Sequence, residues 1–310
     1  MKLLSGLLSA VVLVTVLAVT PYTGEPKEKI KVLIVDGFSN HDWAKTTGLI
    51  RGILEPTERF DVAVSTSPPR GAKEGWDKWR PKFSDYDVVL QNSNDIGGGP
   101  SWPKEVQTDF AKYVKEGGGV FIFHSANNAF SGWPEYNDII GLGWRNKNFG
   151  EALTISDQQE IQRIPKGAGK NTGHGPRFDA MLTRIGDHPI HKGFPKRWMT
   201  PGLEVYFYAR GPAKNLQVLS YAFDPRTKKN WPIEWVVTYG KGRIYNSTFG
   251  HVWRNDTQPK SMRCAGVQTV LVRALEWLAD EDITFAVPDD FPTADKLSVR
   301  GEIPTPKGNG

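Results

Sequence analysis

Apolar and polar positions alternate in two different rhythms along the first 130 residues. Residues 29–37 (KIKVLIVDG) form a β-branched run ending in glycine, the pattern of a buried parallel strand that opens into a loop. Residues 46–54 then carry apolar side chains at helical spacing, 60–65 alternate as a second strand, and 86–90 (YDVVL) read as a third, followed by the polar run 91–95 (QNSND). Ser101 and Pro103 mark a helix start, Val106, Phe110 and Val114 continue its apolar stripe, and the glycines at 117–119 stop it. A wholly apolar strand at 119–123 (GVFIF) runs straight into His124. Strand and helix in alternation predict an α/β fold built on a doubly wound, mostly parallel sheet.

The rhythm weakens between residues 133 and 198, where glycine, proline, aromatic residues and histidine predict long loops with short strands. Beyond it, residues 216–221, 233–239 and 243–249 read as strands, the last two joined as a hairpin through Gly240, Lys241 and Gly242. Residues 266–278 form a closing helix, and 281–310, rich in Pro and Gly, predict a loosely packed or disordered tail. No internal repeat is present.

Composition changes this picture at the amino terminus. Residues 1–24 contain Met1, Lys2 and an apolar run from Leu3 to Val19, the pattern of a signal peptide or an N-terminal anchor. The chain is thus expected to be exported, periplasmic or secreted, with a membrane as partner only if that segment stays attached. Cys264 is the only cysteine, so no intramolecular disulfide can form, and no cysteine follows the apolar run to take a lipid. The net charge of +5 is spread among acidic residues, which speaks against a nucleic-acid partner. Nothing in the sequence sets the oligomeric state.

In an open parallel sheet, ligands bind beyond the carboxyl ends of the strands. His41 follows the first strand, Asn92 and Asn94 the third, and His124 the fourth. The other histidines are His174, His188, His191 and His251, and five of the six lie in loops beside Gly, Pro or polar residues, where function concentrates. Neutral imidazoles can ligate a divalent ion with help from a carboxylate such as Asp42, Asp187 or Glu204, or can act as acid and base on a sugar. No HExxH-type spacing chooses between these readings. Glutamine amidotransferases place a nucleophilic cysteine or serine on the turn after the fourth strand. Here His124 stands there, with Ser125 one position late, which points to loss of amidase chemistry.

Four ordered segments resemble the ThuA-like (trehalose-utilisation) family: 117–126 (GGGVFIFHSA), 187–190 (DHPI), 204–206 (EVY), and 232–243 leading to Gly250 and His251. The resemblance spans residues 30–280. It departs from the family at Leu203, where an aspartate is usual, and at the insertion-like stretch 146–177. It implies a flavodoxin-like, glutamine-amidotransferase-like sheet with an added C-terminal hairpin. It further implies a carbohydrate-active hydrolase, lyase or isomerase acting on a glycoside or 3-keto-sugar, or alternatively a non-catalytic carbohydrate-binding protein. In that scheme His124, His251 and Glu204 are catalytic. His41, Asn92, Asn94, Trp133, Tyr206 and Trp253 bind the sugar. A zinc, manganese or nickel ion, if used, would be held by His41, His124, His188 and His251. Trp43, Trp144, Trp198 and Trp231 are further rings available to stack on a sugar face.

Overall fold

The computed structural model describes residues 28–96, 98, 101–280 and 282–305. The expected export segment, residues 1–24, lies outside the described residues. Among the described residues, no helix is long and apolar enough to cross a membrane.

Strand β1 (Ile30–Asp36) is an inner strand of the parallel half, with only Lys31 exposed. Helix α1 (Trp43–Leu54) carries the chain from β1 to β2 (Phe60–Thr66), and α2 (Lys104–Glu116) from β3 (Val88–Gln91) to β4 (Gly119–Phe123). Every residue of β3 and β4 is buried, because helices cover both faces of the sheet and leave no polar side. Asp42 caps α1 by accepting from the Lys45 amide at 3.0 Å. Gly117, at φ 128°, stops α2 by turning its N–H back to the carbonyls of Tyr113 and Val114.

After β4 come α3 (Pro134–Ile140) and the strands β5 (Glu151–Ile155), β6 (Ile161–Ile164), β7 (Phe178–Arg184), β8 (Arg197–Leu203), β9 (Arg210–Gly211), β10 (Leu216–Asp224), β11 (Lys229–Tyr239) and β12 (Gly242–Ser247). A short helix α4 (Lys260–Arg263) leads into α5 (Ala265–Leu278), which buries every residue but Trp277. The main sheet runs β2-β1-β3-β4-β12-β11-β10-β7-β8. Strand β12 pairs parallel with β4 and closes a five-stranded parallel half of flavodoxin-like order; β11, β10, β7 and β8 extend it antiparallel. The hairpin between β11 and β12 is the one expected, yet the antiparallel half is larger than a hairpin.

Two expectations give way here, the first in part. Residues 133–198 hold short strands between loops, β5 to β7 and the start of β8, but also the helix α3, and β7 and β8 extend the main sheet. Pro201 and Gly202 inside β8, together with the register shift between β7 and β8, break the period-two signal. The segment after Asp280 does not pack loosely among the described residues. Phe291 stacks 4.4 Å from Phe194, Glu276 at the end of α5 accepts from the Thr284 and Phe285 amides, and Arg300 pairs with Asp290. This segment covers α5 and seals the core on that side.

Register aligns the strand ends. Gln91 of β3 pairs with Val35 of β1 and Ile122 of β4, and Phe123 pairs with Ser247 of β12. The loops after β1, β3, β4 and β12 therefore emerge at one edge.

Candidate active site

Three histidines meet at that edge. His41 comes from the loop after β1, His124 directly follows β4, and His251 follows β12. Glu204, just past β8, reaches them from the antiparallel half. One ligating atom from each of these four side chains lies within 4.8 Å of all the others. His41, Glu204 and His251 line a cavity of about 430 Å³, and His124 is buried against them.

His124 has φ 42°, a left-handed conformation that costs a non-glycine residue about 1–3 kcal/mol and so must be enforced by its surroundings. Its Nδ1 lies 2.9 Å from the Thr248 carbonyl. A carbonyl only accepts, so Nδ1 carries the hydrogen and Nε2 is left facing the cluster. That Nε2 is buried, makes no hydrogen bond, and stands 3.5 Å from Glu204 Oε2. Two buried acceptors at that separation need a proton or a cation between them.

The His41 ring is held similarly. His41 Nδ1 donates to Asn40 Oδ1 at 2.9 Å, which leaves its Nε2 free. His251 Nε2 is 3.7 Å from Glu204 Oε1. Burial, and then the neighbouring His124 and His251, lower His41 to about 2; burial, and then His124, lower His251 to about 4. Burial alone raises a carboxyl, but the adjacent His124 ring, with His251 and His174, outweighs it and holds Glu204 at about 2. Neutral His41 and His251 beside an ionised Glu204 are protonation states that suit a divalent cation.

The remaining candidates divide. Tyr206 and Trp253 line the cavity, and Trp253 stacks on His251 with a 20° interplanar angle. Asn94 does not reach the cavity: its Nδ2 donates to Asn40 Oδ1 and Ser39 Oγ, and so braces the residue that orients His41. Asn92 is tied to the first turn of α1 through the Trp43 carbonyl and Thr47 Oγ1. Trp133 is not a sugar-facing ring: it is buried among Trp102, Phe110, Phe130 and Tyr136. Trp198 and Trp231 are likewise core residues. His188 is not with the other three histidines; it packs edge-on against Trp277 of α5, because the Pro189 turn points it away from the cavity. Nearby His191 is bound to Glu234 at 3.1 Å, with Ser220 and Tyr245 satisfying the rest of that carboxylate. Ser125 is buried and accepts from Asn94, away from the cavity lining.

Sequence reasoning gave no role to His174 or Arg177, and both line the cavity. His174 Nδ1 lies 2.8 Å from the Gly175 carbonyl and 3.2 Å from Glu204 Oε1. Arg177 Nη1 lies 3.0 Å from His251 Nδ1 and 3.2 Å from Asp256 Oδ2. The glycines flanking His174 were the available signal, but the insertion-like stretch had no legible position in the fold.

A flavodoxin-like parallel half, with a strained histidine after β4 and a histidine–carboxylate cluster above the strand ends, defines an α/β protein with its candidate site at the carboxyl edge of a mixed sheet. The ThuA family model, described as trehalose utilisation, matches residues 31–278, and the chain belongs to this carbohydrate-related family. The solved structure of a protein described as ThuA-like from Parabacteroides merdae is 35% identical, with 88% of this chain and 98% of that one covered and a TM-score of 0.82. Another from Bacteroides uniformis is 16% identical, with 82% and 94% covered and a TM-score of 0.54, and shares the fold. No curated protein matches the sequence.

Proposed function

We propose that this protein is a carbohydrate-active enzyme, a hydrolase, lyase or isomerase, that works on a glycoside or 3-keto-sugar in the cavity. The observation that carries the reading is the cluster of His41, His124, His251 and Glu204, of which all but His124 line a cavity shared with Trp144, Tyr206 and Trp253. Such rings stack on the apolar faces of sugars.

The buried lone pair on His124 Nε2 fits a divalent ion, and three imidazoles with one carboxylate suit zinc, manganese or nickel better than magnesium or calcium. When bound, such an ion would polarise a sugar oxygen. His174 supports proton transfer. Both groups near its Nδ1 are acceptors, so the hydrogen sits there and Nε2 offers a lone pair. A keto group acidifies the neighbouring C–H, and His174 Nε2 takes that proton. In an elimination, the glycosidic oxygen then leaves with the C–O bonding pair and takes up a proton from solvent water, while Glu204 holds His174 in place.

The test is turnover of trehalose and 3-keto-trehalose, with products followed by NMR, in wild type and Glu204→Gln. The reading predicts product from one of the two sugars and a loss of about 100-fold or more in the variant. Calorimetric binding of both sugars without turnover would favour the non-catalytic carbohydrate-binding alternative.

A further inference from the structure

His251 has two rival partners at its outer nitrogen. Arg177 Nη1 lies 3.0 Å from His251 Nδ1, and Asp256 Oδ2 lies 3.9 Å from the same atom. A guanidinium only donates and a carboxylate only accepts, so the two demand opposite tautomers. With Arg177 engaged, Nδ1 holds the lone pair, and a neutral ring carries its hydrogen on Nε2, facing Glu204 Oε1 at 3.7 Å. That tautomer can donate into the cluster but cannot coordinate a cation through Nε2. With Asp256 engaged, Nδ1 carries the hydrogen and Nε2 turns its lone pair to the cluster, as when a second carboxylate orients a metal-bound imidazole.

Asp256 is preorganised for this task. Its Oδ2 accepts the Trp253 backbone N–H at 2.9 Å, its own N–H reaches the Trp253 carbonyl at 2.9 Å, and the Trp253 indole stacks on His251. Arg177 is the more exposed of the two partners: its side chain is 40% exposed, it lines the cavity, and it already contacts Asp256 at 3.2 Å. A small swing moves its guanidinium off the imidazole while keeping the carboxylate contact.

We propose that Asp256 is the positioning residue that makes His251 a cation ligand, and that Arg177 opposes it by holding His251 in the proton-donating tautomer. The proposal rests on the cation reading of the site. It couples the fourth ligand to the contents of the cavity, since a ligand that draws Arg177 away hands His251 to Asp256.

Cobalt(II), titrated into the chelator-stripped full chain and read by its visible absorption, tests this in wild type, Arg177→Met, Asp256→Asn and Asp256→Glu. Relative to wild type, Arg177→Met should bind roughly tenfold tighter and Asp256→Asn roughly 10- to 100-fold weaker, with Asp256→Glu recovering part of the loss. A merely structural role would weaken binding in both Arg177→Met and Asp256→Asn. Such paired weakening, or equal affinity throughout, overturns the proposal while leaving the cation reading intact. Cobalt taken up by Arg177→Met but not by wild type supports it. Uptake by none of the four proteins overturns both the proposal and the cation reading.

Discussion

His124 shows what a single residue must satisfy here. It occupies a backbone conformation unfavourable for a side chain, donates Nδ1–H to Thr248, and presents Nε2 to Glu204. Its importance was legible because it follows an apolar strand directly, and His41 and His251 could be placed in the same way. His188 could not be told from them, because a histidine beside proline in a loop carries no sign of which face it turns to. The structure gives His188 a different test. Burial, and then His191, lower it to about 4. Below its ordinary value near 6.5 the unfolded chain takes up a proton that the folded chain refuses, so stability falls as pH drops from about 6.5 to 4. His188→Gln should flatten part of that decline in urea midpoints measured across this range. An unchanged slope would show that the fold does not lower His188. His41 and His251 act in the same direction, whereas Glu204 contributes stability above about pH 4.5 that is lost as pH falls through about 2.

Elements that are buried on both faces announce themselves, and β1, β3 and β4 were read nearly to the residue. Those exposed along most of their length or interrupted by proline did not, as β6 and β8 respectively show. The tail after Asp280 misled for a related reason: its Pro and Gly content describes an irregular backbone, which can still pack. Close approach is clearest where β4 meets α5. A Cβ on Gly119 would lie 2.3 Å from the Leu278 carbonyl, a contact no side chain can make without moving the helix. Gly119→Val should cost about 1–3 kcal/mol in denaturant unfolding. A neutral result would mean that α5 does not press on β4 as closely as described.

At the scale of the whole molecule, the site is an alliance between two halves of one sheet. The parallel half supplies His41, His124 and His251 at aligned strand ends, which a general rule for open sheets makes readable from sequence. The antiparallel half supplies Glu204, His174 and Arg177, and their arrival depends on a topology that residues 133–198 did not reveal. Glu204 stood in the sequence as one of three candidate carboxylates that only the family resemblance singled out, while the other two were given no role. The central claim is that this alliance forms a cation-binding reaction centre. The direct test is elemental analysis of protein purified without affinity tag or chelator, comparing wild type with His124→Ala and His251→Ala. The account predicts about one equivalent of zinc, manganese or nickel in wild type, lost in both variants. Wild-type protein that holds no metal, even after incubation with each of these ions, would contradict it.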